Sequence, residues 1–167
     1  MSQVWLGLGS NLHDPPAQLR AALQQLSAWP GLQVTAKSRF YRSAPLGPSG
    51  QADYCNAVCG VSTALSPQDV LRALEQIEDR AGRNRNGPRW GPRVLDLDLL
   101  LYDDLVLDTP ELKIPHAELH RRNFVIAPLA ELAPDLVIPG PGTVREILAQ
   151  LGREGLQLWP DVDDLLG

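Results

Sequence analysis

Arg83-Asn84-Arg85-Asn86-Gly87-Pro88-Arg89-Trp90-Gly91-Pro92-Arg93-Val94-Leu95-Asp96-Leu97-Asp98-Leu99-Leu100-Leu101 joins two kinds of chain. In its first half, Gly87, Pro88, Gly91 and Pro92 exclude a helix, which places the guanidinium groups of Arg83, Arg85, Arg89 and Arg93 on a loop. Its second half reads as a strand over 94–101. Strand side chains alternate, so Asp96 and Asp98 share one face while Leu95, Leu97 and Leu99 take the other.

Two adjacent carboxylates repel unless a cation joins them. Hard divalent ions such as Mg2+ prefer oxygen ligands and usually share one or two carboxylates with substrate phosphates. Arginine supplies forked donors that match phosphate oxygens. A carboxylate pair beside an arginine loop therefore reads as a phosphoryl-type transfer site. Taken singly, each piece has a plainer reading: a solvated strand face, a solvated loop, and Trp90 as packing. Their occurrence within one short stretch favours the functional one.

Upstream, 4–8 reads as a first strand, followed by a helix with Asp14 as cap and Pro15 at its first position. Leu19, Ala22, Leu23 and Leu26 form its apolar stripe. Gly7-Leu8-Gly9 lacks the third glycine of a dinucleotide fingerprint, and the chain has no Gly-Lys-Ser/Thr loop. Pro30-Gly31 turns into a second strand at about 33–42. The Gly/Pro-rich loop 43–52 is long enough to expect a function. A third strand at 54–62 puts Tyr54 and Asn56 on one face and Cys55 and Cys59 on the other. An aromatic plane beside a carboxamide suits a flat heterocycle with amide-like edges, although a polar outer face reads equally well from these residues alone. The cysteines, about 13 Å apart along extended chain, are too distant for a disulfide and are expected to be core. Ser66-Pro67 opens a second helix with the stripe Val70, Leu71, Leu74 and Ile77, stopped by Gly82.

The order through residue 102 is thus β-α-β-β-α-β. That predicts an α+β fold of ferredoxin-like type, with a mainly antiparallel sheet, helices on one face, and the other face left for ligand and C-terminal elements. Downstream the sequence predicts a short strand at 105–107, a helix at 123–132, a strand at 136–138 and a helix at 143–151. The acidic end, 158–167, reads as a peripheral tail. With 167 residues, one domain spanning 1–167 is expected. Apolar residues at 44%, charged residues at 21% and a net charge of −5 fit a soluble protein and disfavour nucleic acid or anionic membrane as partner. No apolar run approaches the roughly 20 residues of a membrane helix, and the start has no signal-peptide pattern, so a cytoplasmic location is expected.

Arg89-Trp90-Gly91-Pro92-Arg93-x-Leu95-Asp96-Leu97-Asp98 strongly resembles the signature of the 6-hydroxymethyl-7,8-dihydropterin pyrophosphokinases of folate biosynthesis. Further landmarks occur in the same order: Gly9-Ser10-Asn11-Leu12, Phe40-Tyr41-Arg42, Pro45-Leu46-Gly47-Pro48, Asp53-Tyr54-x-Asn56-Ala57, and Pro115-His116 followed by Arg122-x-Phe124. The resemblance implies transfer of the β,γ-pyrophosphoryl group of ATP to the pterin hydroxymethyl oxygen, releasing AMP. It implies two Mg2+ ions on Asp96 and Asp98, and Arg83 and Arg93 as catalytic arginines. Ser43, Ala44, Leu46, Tyr54, Asn56, Trp90 and Phe124 would hold the pterin, with Trp90 and Phe124 sandwiching the ring. ATP would meet Arg85, Leu99, Leu112, Lys113, His116 and Arg122. His116 also reads as a structural residue, and His13 and His120 carry no assignment. Ser43 and Ala44 depart from the Thr and Pro of other members, while Glu75, Glu111 and Ala117 replace nucleotide-contacting residues of some relatives. No general base for the hydroxyl proton stands out, and nothing requires more than a monomer. Two rival readings use the same residues: a different metal-dependent nucleotidyl or phosphoryl transferase, and a non-catalytic nucleic-acid-binding module built on the arginine loop. The acidic total weighs against the second.

Overall fold

The structure, a computed structural model, describes residues 1–44, 52–82 and 94–160. Among these residues ten strands and four α-helices follow in the order β1 (Ser2–Ser10), α1 (Pro15–Ala28), β2 (Leu32–Lys37), β3 (Tyr41–Ser43), β4 (Tyr54–Thr63), α2 (Pro67–Arg80), β5 (Asp96–Tyr102), β6 (Leu107–Asp108), β7 (Lys113–Ile114), α3 (Asn123–Leu132), β8 (Val137–Ile138), β9 (Gly142–Thr143), α4 (Val144–Leu151) and β10 (Gln157–Leu158). The main sheet runs β10-β3-β4-β1-β5, with β2 also on β4, and every pairing in it is antiparallel. The protein is therefore α+β with a mainly antiparallel sheet.

Local chemistry starts the helices where the sequence signals them. The Asp14 carboxylate accepts the Ala17 amide at 3.4 Å, Ser66 Oγ accepts that of Asp69 at 3.1 Å, and Thr143 and Glu146 form a capping box. Helix α2 gives way to a turn at Ala81 and Gly82, and the Gly82 φ of +88° is open to glycine at no steric cost. Leu19, Ala22, Leu23 and Leu26 of α1 pack with Val70, Leu74 and Ile77 of α2 over Leu6, Leu8, Ala57, Val61, Leu97 and Leu99. Cys55 and Cys59 lie fully buried in this cluster, and burial pushes both thiols up to about 12, so they are inert core groups. On the opposite face Trp5, Val58, Leu100 and Leu101 pack against Ile126 and Leu129 of α3 and Val144 and Ile147 of α4.

Three departures from the sequence reading have physical causes. The strand expected at 33–42 is interrupted at Ser38, whose hydroxyl accepts the Val58 amide at 2.9 Å and displaces the ladder. Arg39 then turns away to Glu131 of α3, through its amide at 3.0 Å and its Nε at 3.3 Å, before β3 resumes. The short strand expected at 105–107 begins at Leu107, because the Leu105 amide closes a turn onto the Tyr102 carbonyl at 3.0 Å. Leu101 leaves the face of Leu97 and Leu99, because one extra residue, Leu100, is inserted where Trp5 and Leu6 pair with Leu101 and Leu99.

The C-terminal end is tied in at its start. Leu158 pairs with Tyr41, the Trp159 amide donates to the Phe40 carbonyl at 2.9 Å, and the Arg42 guanidinium lies 4.6 Å from the Trp159 ring centre. Residues 161–167 lie outside the described residues. Among the described residues no helix is long and apolar enough to cross a membrane.

Glu131 is also the acceptor for the Tyr41 hydroxyl at 2.5 Å, which joins β3 to α3. Tyr41→Phe is expected to cost about 1.5–3 kcal/mol, as for a hydrogen bond to a charged group. Burial, then the Glu131 contact, push the Tyr41 phenol up to about 12. The stability tied to the neutral phenol is thus complete below pH ~10 and is lost as pH rises through the folded value. Urea unfolding of both proteins from pH 7 to 11.5 checks this. The gap should narrow at the alkaline end, and parallel curves would remove Tyr41 from the account.

Candidate active site

The two carboxylates of β5 face a floor without side chains. Asp96 stands opposite Gly9 and Asp98 opposite Gly7 on β1, and Gly9 in turn stands opposite Asn56 on β4. Asn56, Gly9 and Asp96 therefore form a row across three strands, spanning about 10 Å at the ordinary strand spacing. Asp96 and Asp98 are both partly exposed, whereas Leu95, Leu97 and Leu99 are buried beneath the helices, as alternation requires.

Asn56 is 6% exposed, and its Nδ2 donates to Ser43 Oγ at 2.7 Å. A Cβ on Gly9 would lie 3.2 Å from Asn56 Oδ1 and 3.8 Å from the Tyr54 ring, so the missing side chain leaves room for the carboxamide. Tyr54 is half-buried, Ser43 is buried, and Ala44 is exposed. Asn11, itself buried, donates from Nδ2 to the Ala52 carbonyl at 3.1 Å and fixes the chain just before Tyr54.

On the other side of Asp98, the extra residue of the β5 bulge presents the Leu100 carbonyl to the His116 amide at 3.0 Å. That bond sets His116 with Nε2 3.8 Å from Asp98 Oδ1, beyond hydrogen-bond reach. The Glu118 amide donates to His116 Nδ1 at 3.2 Å, which leaves Nε2 as the protonated nitrogen of the neutral ring. Burial, and then Arg122, lower the His116 pKa, while Asp96 and Glu118 act against them. Arg122 also lies 5.8 Å from the Phe124 ring centre at the start of α3, so the cation that acts on the histidine also faces an aromatic plane.

Other candidates are placed elsewhere. The Leu99 and Leu112 side chains are buried in the helix-side core, away from the carboxylate face. Lys113 is exposed and forms an ion pair with Asp108 across the β6–β7 hairpin. Leu46, Arg83, Arg85, Trp90 and Arg93 lie outside the described residues.

Among the described residues no group of three or more His, Cys, Asp and Glu could hold a metal ion alone. The donor set is two oxygen acids on one face with a neutral histidine beyond. It fits a hard cation that completes its coordination with water and phosphate oxygens, and it does not fit a closed zinc-type site.

Residues 5–134 match the family described as 7,8-dihydro-6-hydroxymethylpterin-pyrophosphokinase (HPPK). The chain is 44% identical over 160 residues to the 2-amino-4-hydroxy-6-hydroxymethyldihydropteridine pyrophosphokinase of Pseudomonas aeruginosa, covering 96% of this chain and 98% of the relative. It is 45% identical over 150 residues to the protein of the same name from Haemophilus influenzae, covering 90% and 93%. In Schizosaccharomyces pombe the similar region, 37% identical over 96% of this chain, is 22% of a longer folic acid synthesis protein. The fold is similar to that of the Plasmodium falciparum HPPK-DHPS crystal structure, with a TM-score of 0.70 at 13% identity, covering 95% of this chain and 47% of that one.

Proposed function

The chain belongs to the 7,8-dihydro-6-hydroxymethylpterin-pyrophosphokinase family, and from that premise we propose that it transfers pyrophosphate from ATP to 6-hydroxymethyl-7,8-dihydropterin, giving the pterin diphosphate and AMP for folate synthesis. The observation that carries the reading is the row across one sheet face, with Asp96 and Asp98 over Gly9 and Gly7 and Asn56 beyond Gly9.

In this reading Asp96 and Asp98 hold two Mg2+ ions. Bound there, Mg2+ supplies neutralisation of phosphate charge and orientation of the β-phosphorus. Asn56 reads the polar edge of the pterin together with Ser43 and the backbone near Ala44 and Leu46. Tyr54 adjoins the ring, which stacks between Phe124 and Trp90. His116 offers Nε2–H to a phosphate oxygen as a neutral donor, and Arg122 and Arg85 meet the nucleotide. Leu99, Leu112 and Lys113 line its approach; with both leucine side chains turned inward, those two act through their backbone. Arg83 and Arg93 meet the charge that develops on transfer. Catalysis is then positioning and electrostatics in a site cleared of water.

The order β5-β1-β4-β2, antiparallel throughout, supports the ferredoxin-like description of the first 102 residues. Two cores on opposite faces of one sheet support a single catalytic unit. In this reading that unit spans 1–167 and works in the cytoplasm as a monomer.

Product analysis tests the function. Mg-ATP and the pterin together should yield AMP and pterin diphosphate in equal amounts, with neither product when one substrate is omitted. ADP in place of AMP would mean single-phosphoryl transfer and would overturn the proposal.

A further inference from the structure

Glu78 is 4% exposed on the inner side of α2, and among the described residues it is the buried carboxylate. Its Oε2 accepts the Leu97 amide at 2.8 Å, within the core. Leu97 lies between Asp96 and Asp98 on β5, the strand at the end of the main sheet. In an antiparallel edge strand alternate amides face the partner strand and the ones between face outward. The Leu97 amide is one of the outward set. Buried and away from β1, it needs an acceptor, and the charged carboxylate of Glu78 provides a strong one.

The geometry points to Glu78 as the positioning residue of the carboxylate pair. It pins the peptide between Asp96 and Asp98 from behind, so that both side chains leave the opposite face at fixed spacing. The same bond joins the last turn of α2, which ends at Arg80, to the start of β5 at Asp96. It thereby fixes the two ends between which the arginine-bearing segment runs. On a helix whose other buried residues are Val70, Ala73, Leu74 and Ile77, a core carboxylate is costly to bury, and the Leu97 amide is a partner that offsets that cost.

The inference rests on the reading of Asp96 and Asp98 as the metal carboxylates, and the test separates the two. Glu78→Gln keeps an acceptor of the same length, whereas Glu78→Asp keeps the charge but falls one methylene short. Amide exchange in the metal-free protein reads the tether alone. Glu78→Asp should speed Leu97 exchange about tenfold or more relative to its neighbours on β5, and Glu78→Gln should not. In turnover assays Glu78→Asp should need about tenfold more Mg2+ for half-maximal rate, at unchanged pterin affinity, with Glu78→Gln close to the parent protein. Leu97 exchange unaltered in Glu78→Asp, or Glu78→Gln as impaired as Glu78→Asp, would overturn the assignment. Faster exchange with no change in Mg2+ dependence would overturn the positioning role, whereas a parent protein without pyrophosphoryl transfer would overturn the function instead.

Discussion

Asp98→Asn is expected to lower turnover by on the order of a thousandfold or more, and Asp96→Asn by a similar factor, while neither variant loses stability. The two effects should part because the carboxylates lie on the partly exposed face, outside the buried core, and are necessary to the site. Side chains at i and i+2 of a strand leave the chain about 6.6 Å apart on the same face. At that separation two like charges near a protein surface repel by roughly 2.5 kcal/mol before screening by salt. Replacing one by an amide of the same shape removes that repulsion and leaves the buried leucines of β5 in place, so the urea midpoint should stay close to that of the parent. The amide is also a poor ligand for a hard cation, so the site loses its means of holding phosphate charge. Activity and stability measured on the same preparations decide the matter. A variant as active as its parent would remove Asp96 or Asp98 from the metal site, and a variant that unfolds would make the pair structural.

The legible parts of the chain were those whose signals are local. The Leu-Asp alternation at 95–99, the stripes of α1 and α2 and the caps at Asp14 and Ser66 are properties of neighbours in sequence, and the structure has them where the pattern puts them. Cys55 and Cys59 follow strand alternation into the core, where both are fully buried. What was hidden depends on partners far along the chain. Leu99, Leu100 and Leu101 are alike in type, so nothing local shows which one is the bulge that holds His116. Ser38 reads as an ordinary strand residue until its hydroxyl is seen taking the Val58 amide. Glu78 reads as one more polar residue of α2, and its place opposite the Leu97 amide is not visible from its neighbours in sequence. Gly7 and Gly9 lack the third glycine of a dinucleotide fingerprint. The signal in them was their spacing of two on a strand, which clears one face of Cβ atoms. Its meaning required knowing that Asp96, Asp98 and Asn56 lie across from them.

That floor gives a second large effect, on pterin alone. Gly9→Ala should weaken pterin binding by about ten- to a hundredfold, or roughly 1–3 kcal/mol. The backbone at Gly9 is not left-handed, so alanine meets no conformational strain there. The added methyl lies 3.2 Å from Asn56 Oδ1, which must move by a few tenths of an ångström. Asn56 has little freedom to do so, being buried and bonded to Ser43 Oγ at 2.7 Å. Either that bond or the carboxamide's bonds to the ligand must be lost, and a polar pocket misaligned in this way loses its ligand's hydrogen bonds rather than a little packing. Gly7→Ala is the matched control, because its methyl meets Leu100 side-chain carbons at 3.4–3.6 Å, and a leucine side chain yields where a bonded amide does not. Calorimetric titration of each variant with pterin, and separately with Mg-ATP, reads both arms. A large loss of pterin affinity in Gly9→Ala, with nucleotide affinity within about threefold of the parent, is the expected pattern for sites that do not share partners. Equal loss of both ligands would mean that the row from Asn56 to Asp96 responds as one body, and that Asn56 is not the separate reader of the heterocycle.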